Sequence, residues 1–400
     1  MNANGFRQFP KGDALFLRHI GDRAALVAAL ELGKGAILPA GAGPKHEVAI
    51  QVWPLSISRQ GVSGLTTCCW HKYDAIDCNN QARWHVEQNL FTFTVLGFEG
   101  AFNLPVWVAQ KRKYFEKHGL DVGLEYVKGS VDMINRMTAG SAHVALTSVD
   151  NVLAYRGGQG ETADGSALDL VAFMGGDHGF LSLMARPEIT SVPQLRGKTL
   201  SVDALTTGFA FVLREILVAN HIAVTDVTFE AAGGTGNRYR ALIAGKHDGT
   251  LVRTPFERLA QRQGLNVLAR GQSLFSDYLG TVGAVLQSWA SQNQDRLVGF
   301  ILAYREALNW IFDPANHDTL IGILRAEFVE LTDDDARDVL EDLLDPTGGL
   351  IGDMSISDAG LAQVSRIRDA HAPVPTHRSL HDCVDRQYLR MAQNSTDWAR

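Results

Sequence analysis

Three short segments carry the residue types that hold a small polar group. Gly97-Phe98-Glu99-Gly100-Ala101-Phe102-Asn103 combines two glycines that allow close backbone approach with a carboxylate, an amide and two rings. Thr147-Ser148-Val149-Asp150 and Thr206-Thr207-Gly208-Phe209 place hydroxyls directly before helical patterns. A helix N-terminus presents unpaired N–H groups and a positive dipole end, so it suits carboxylate, sulfonate or phosphate. The candidate ligand-binding residues are Phe98, Glu99, Phe102, Asn103, Thr147, Ser148, Thr206, Thr207 and Gly208. Arg253, ending a strand pattern, and Asp177-His178, in a Gly-rich loop after another, join them. Each has a plainer reading beside the functional one. Ser and Thr before a helix serve as caps, Phe98 and Phe102 serve a core, and Arg253 serves a surface salt bridge.

Machinery for catalysis is not visible. The chain holds no Gly-x-Ser-x-Gly elbow, no Gly-x-x-x-x-Gly-Lys phosphate loop and no His-Glu-x-x-His helix. Gly234-Thr235-Gly236 begins a Gly-x-Gly-x-x-Gly pattern but lacks its last glycine. Cys68, Cys69, His71, Cys78 and His85 are the right types for zinc, yet their spacing matches no finger or ribbon. Neither a metal nor a cofactor is expected. Cys383 stands apart from the other cysteines, so residues after the first quarter have no disulfide framework.

The elements that must position these loops follow from periodicity. From Phe91 onward, short apolar runs alternate with amphipathic stretches. The spacing predicts strands over 91–98, 121–127, 143–147, 170–174 and 180–185, with helices from Pro105 to Gly119, over 131–139 and over 149–155. A second run repeats the order: strand 199–203, helix 208–220, strand 227–230, helix 235–244 and strand 249–252. Phe209, Val212, Leu213, Ile216 and Leu217 form the core-facing stripe of the clearest helix. Thr254-Pro255-Phe256-Glu257 reads as a capping box opening another helix, and Thr332 with Asp335 as a second. Thr281–Gln287 is a strand, and helices fill the rest, led by a long one lined by Leu297, Ile301, Tyr304, Leu308 and Ile311. Such alternation demands mostly parallel sheets with helices on their faces. The pattern therefore makes two α/β lobes, with the helical tail packed on the first. The first ninety residues lack sustained periodicity; only 15–32 reads as a helix.

Bulk properties narrow the function classes. The 400 residues exceed one compact core, and 46% hydrophobic content supplies sizeable ones. A net charge of -7 argues against nucleic acid, since the densest basic run is only Lys111-Arg112-Lys113. No apolar stretch is long enough for a spanning helix. The segment from Ala24 to Ala42 is a poor signal peptide because Glu31 and Lys34 interrupt it.

Four segments, in order, resemble the type II periplasmic binding proteins. The relevant branch holds the ABC-transporter receptors for sulfonates, taurine, nitrate and thiamine-pyrimidine precursors. Ser191-Val192-Pro193-Gln194-Leu195-Arg196-Gly197-Lys198, within 189–203, is similar to the family's inter-lobe passage. Ala139–Leu146 resembles its Gly-x-x-Asp-Val-Ala turn, with His143 where Asp is usual, and Ala244–Gly249 is the second-lobe counterpart. Phe300–Asn316 resembles the helix ending in Asp-Pro-x-Asn.

The resemblance implies a two-lobed type II periplasmic-binding-protein fold with mixed, mostly parallel sheets and a hinge of two crossover strands, 180–185 and 281–287. It divides the chain into an extension (1–90), lobe I (91–187), lobe II (188–275) and a return to lobe I with the helical tail (276–395). The three loops would line the ligand cleft. The protein would be the solute-binding component of an ABC-type uptake system: a monomer in the periplasm or at the cell surface. Its partners would be a small polar or anionic organic ligand and a membrane permease, not nucleic acid. The alternative is a cytoplasmic enzyme or ligand sensor of the same fold, either desulfinase-like or like the thiamine-pyrimidine enzymes. Those enzymes use cysteines that have no counterpart between Cys78 and Cys383.

Overall fold

The computed structural model describes residues 90–400 apart from 163–164, 276, 374–378 and 399–400, together with four strands before residue 90. Residues Met1–Trp84 and His85–Arg400 form separate compact units. The first contains β1 (Arg7–Gln8), β2 (Ala14–Leu17), β3 (Lys34–Ile37) and β4 (Val48–Pro54). They make an antiparallel sheet in the order β1-β2-β4-β3. The helix expected over 15–32 is corrected at its start, because residues 15–17 lie in β2 between two partner strands. Cross-strand pairing outweighs local propensity there; residues 18–32 lie outside the described residues.

In the second unit, β5 (Phe91–Gly97) leads into α1 (Leu104–Lys111) and α2 (Tyr114–Lys117). The single helix expected here is broken because Lys113 takes a left-handed φ of 61°. Then come β6 (Leu120–Tyr126), α3 (Ser130–Thr138), β7 (Val144–Ser148), α4 (Val149–Arg156) and β8 (Leu170–Gly175). The second half holds β9 (Ser182–Ala185), β10 (Thr199–Val202), α5 (Gly208–Ala219), β11 (Thr228–Ala231), α6 (Thr235–Ile243) and β12 (Gly249–Val252). It closes with α7 (Phe256–Arg262), β13 (Asn266–Arg270) and α8 (Gly271–Leu274). The chain returns through β14 (Thr281–Leu286), α9 (Gln287–Gln292) and α10 (Gln294–Ile311). The tail is α11 (His317–Glu327), α12 (Asp333–Leu344), α13 (Asp358–His371) and α14 (Gln387–Gln393).

Two five-stranded sheets result, ordered β6-β5-β7-β14-β8 and β11-β10-β12-β9-β13. They share one plan: four strands run one way, and one strand, β14 or β9, runs against its neighbours. These two antiparallel strands are those reached directly after the chain passes between sheets, at 176–181 and 271–280. The α/β architecture with mixed sheets is as the alternation demands. β13 is an edge strand that the periodicity did not reveal; all its residues are half-buried, so it shows no alternation.

The tail departs from the expected packing on the first lobe. α10 lies against α1, but α13 packs on both α4 and α5, and α12 reaches α7. Apolar packing holds the placement: Val339 and Leu343 share a core with Phe256 and Leu259, and Val364 and Ile367 share one with the α5 stripe. Ion pairs accompany it: Arg258 with Asp338 and Asp342, Arg262 with Asp335, and Glu215 with Arg366 and His371. The tail therefore spans both halves. Thr332 and Asp335 form the expected reciprocal cap of α12. The cap expected at Thr254 does not form: α7 starts at Phe256 behind Pro255, and Thr254 Oγ1 is buried without a partner. Glu257 is buried instead of reaching back.

Candidate functional site

The N-termini of α4 and α5, one from each half, meet across a small cleft. Ser148 ends β7 and caps α4, its hydroxyl accepting from Asp150 N at 3.3 Å. Asp150, buried at the start of α4, lies directly against Gly208 at the start of α5. A Cβ at Gly208 would come within 2.5 Å of the Asp150 side chain, so only glycine permits this approach. Thr207 Oγ1 sits 2.5 Å from Asp203 Oδ1 and 3.0 Å from the Ala204 carbonyl. Thr147 Oγ1 accepts from Asn151 Nδ2 at 2.8 Å, which fixes the first turn of α4.

Three buried arginines and three aspartates surround this meeting point. Arg253 leaves the end of β12 and donates through Nη2 to both oxygens of Asp177 at 2.8 Å, with both residues almost fully buried. Its Nε donates to the Gly179 carbonyl, and its guanidinium stacks 3.6 Å from the centre of the Phe102 ring. Asp177 also accepts from Gly179 N and Thr281 N, so one carboxylate ties both passages between the sheets to β12. Arg368, from α13, donates to Asp150 at 2.7 Å. Burial pushes the Asp150 carboxyl above its usual range, with Arg368 opposing. Arg238 donates to the carbonyls of Gly233 and Leu251 and lies 3.9 Å from Asp203. Burial pushes it down, with Asp203 opposing.

The cleft at this meeting point has a volume of about 30 Å³. Phe98, Ser148, Thr207, Gly208 and Arg253 line it, together with Asp203, Phe209 and Arg238. Other candidates stand behind or beside it. Asn103 is fully buried and holds the first loop by donating to the carbonyls of Phe98 and Gly100. Phe102 underlies Arg253 rather than walling the cleft, and Glu99 reaches across to Arg240 at 3.7 Å. Thr206 is exposed and outside the cleft wall. Asp177 is spent on Arg253, so Arg253 is neither a surface salt bridge nor a free counter-ion.

Sequence reasoning missed Arg238 and Arg368, because a lone arginine in a helical pattern reads as a solvated face. Phe209, counted both in the third loop and in the core stripe, is half-buried and lines the cleft. His178 lies elsewhere, on a larger cavity of about 770 Å³ between the tail and the returning segment before β14. Among the described residues, no group of three potential metal ligands converges. The Cys68–His85 cluster lies outside the described residues. No helix among the described residues is long and apolar enough to cross a membrane.

Comparison with known proteins places this geometry. Solved structures share the fold over most of their length, three of them as follows. The periplasmic nitrate-binding protein NrtA from Synechocystis PCC 6803 aligns with a TM-score of 0.63 and 12% identity, covering 77% of this chain and 89% of that one. The ligand-binding component of an ABC-type import system from Staphylococcus aureus, with zinc bound, gives 0.62 and 13%, over 76% and 100%. A desulfurization enzyme, DszB, shares it at 0.51 and 13%, over 76% and 99%. A search of curated proteins finds no match. The family described as NMT1/THI5 like matches residues 103–317, more than half of the chain. This chain belongs to the NMT1/THI5-like family.

Proposed function

We propose that the protein is a solute-binding component of an ABC-type uptake system, taking a small polar or anionic organic molecule between its two halves. The observation that carries this reading is the meeting of two helix N-termini, at Ser148 and Thr207-Gly208, across a cleft walled by Phe98 and Phe209. Helix N-termini offer N–H donors to an acceptor group, and the rings offer apolar faces. The neighbouring binding proteins of the same fold support the reading, as does the passage of the chain between sheets at only two places.

The charge balance shapes the ligand. Arg238, Arg253 and Arg368 stand against Asp150, Asp177 and Asp203, so each buried cation has a carboxylate near it. A ligand is therefore gripped by the Ser148 and Thr207 hydroxyls and by backbone N–H groups, not by a free arginine. A cleft of about 30 Å³ is too small for an organic molecule, so on this reading it corresponds to the closed state. Entry requires the halves to separate, breaking the tail's ion pairs with α5 and α7. The partner would be a membrane permease that docks on the closed form, and the compartment would be the periplasm or the cell surface.

Isothermal titration of the full chain with nitrate, alkanesulfonates, aromatic carboxylates and pyrimidines tests this, followed by recovery of the compound. Saturable binding of a compound that is returned unchanged supports a binding protein. Conversion on incubation would instead support an enzyme, the activity carried on this fold by the desulfurization enzyme.

A further inference from the structure

A cavity much larger than the cleft lies elsewhere in the described residues. It measures about 770 Å³, a volume suited to a ligand of drug size, and lies where the tail closes over the returning segment before β14. Its apolar wall is Leu279, Phe312, Leu344, Leu350 and Ile351. The wall is fixed by backbone pairing rather than by loose packing. His178 N donates to the Gly349 carbonyl at 3.1 Å, Ile351 N to Gly176 at 2.9 Å and Gly175 N to Met354 at 2.8 Å. The segment 349–354 is thus pinned along the passage that carries Asp177.

One cation faces this space. Arg305, on α10, donates through Nη1 to the Gly352 carbonyl at 2.7 Å and lies over the Trp398 ring. Its Nε is buried without a hydrogen-bond partner, and among the described residues no carboxylate pairs with it. With no carboxylate against it among these residues, the guanidinium charge is uncompensated, so an anion in the cavity would gain a charge-assisted interaction with it. α13 begins at the same cavity, with Ser357 and Gly360 on the wall. Asp277 and Asp353 also line it; both are exposed, so the high dielectric weakens their repulsion of an anion without removing it.

We infer that this cavity is a second binding site, separate from the cleft, for an amphiphilic organic monoanion whose acid group meets Arg305 and whose apolar body fills the space against Phe312, Leu344 and Leu350. Nothing in it depends on what the cleft binds.

Decanoate is the probe, titrated into the full chain by calorimetry with 1-decanol as the uncharged control. Wild type should take up one decanoate per chain, and Thr207→Ala, in the cleft, should leave that binding unchanged. Arg305→Gln should weaken decanoate by about tenfold or more, the worth of a charged hydrogen bond, while leaving 1-decanol unaffected. Asn309→Trp, an exposed position on the cavity rim, should block both compounds without touching the core. It decides the matter if Arg305→Gln fails to fold. The inference is overturned if decanoate does not bind up to its solubility limit, if binding survives Asn309→Trp, or if Thr207→Ala removes it.

Discussion

Replacing Arg368 by methionine removes the cation facing Asp150 while keeping most of the volume. Both side chains are 2% exposed and 2.7 Å apart. Removing one member of a buried pair leaves the other uncompensated, at a cost of about 3–5 kcal/mol. Asp150 can escape that state only by taking up a proton. Its ordinary value is 3.8; holding it protonated at pH 7 costs at most 3.2 units at 1.36 kcal/mol each, about 4 kcal/mol. The two routes agree in size. The sign is fixed by linkage: burial raises the folded pKa, so stability is fully present below the unfolded value and lost as pH rises through the folded one. The variant's deficit should therefore be smallest near pH 4 and grow toward pH 7. Urea midpoints for Arg368→Met across pH 4–8 read this directly. The double variant Asp150→Asn/Arg368→Met should abolish the pH dependence. A deficit that is flat with pH, or that shrinks toward pH 7, would refute the reasoning.

Glu257 is pushed up to about 7 by burial, so its stabilisation is lost as pH rises from its ordinary 4.5 through 7, about 3 kcal/mol in all. Glu257→Gln should raise the melting temperature at pH 8 and change little at pH 4.5. Gly208→Ala puts a methyl against Asp150, an overpacking cost of roughly 1–3 kcal/mol borne only by the closed cleft. Titration should then show ligand binding weakened by roughly 5- to 150-fold, with a larger radius of gyration by X-ray scattering. The exposed pairs joining the tail to α5 and α7 are each worth about 0–1 kcal/mol and are screened by salt. Stopped-flow release of ligand should accordingly quicken as ionic strength rises.

The fold was legible because strand–helix alternation shows in a single sequence. β12 and the α5 stripe of Val212, Leu213, Ile216 and Leu217 sit where the spacing put them. Edges and breaks were less legible. Lys113 splits a helix by its own φ, which no apolar pattern encodes, and Thr254 followed by Glu257 copies a capping box without forming one. In the candidate site, hydroxyls before helices were readable, and Ser148, Thr207 and Gly208 line the cleft. The buried charges were not. Arg368 pairs with Asp150, 218 residues away, and Arg238 faces Asp203 on another element. Such pairings leave no trace in local spacing.

The central claim, a cleft that closes on a small ligand at the α4 and α5 N-termini, is tested most directly by thermal shift. The full chain would be screened against nitrate, sulfonates, aromatic carboxylates and pyrimidines, alongside Thr207→Ala. A compound at a hundred times its dissociation constant adds about 2.7 kcal/mol, a rise of several degrees. The expected result is such a rise for at least one class, lost in Thr207→Ala. A folded protein that no compound shifts, or a shift that Thr207→Ala leaves whole, would contradict the claim.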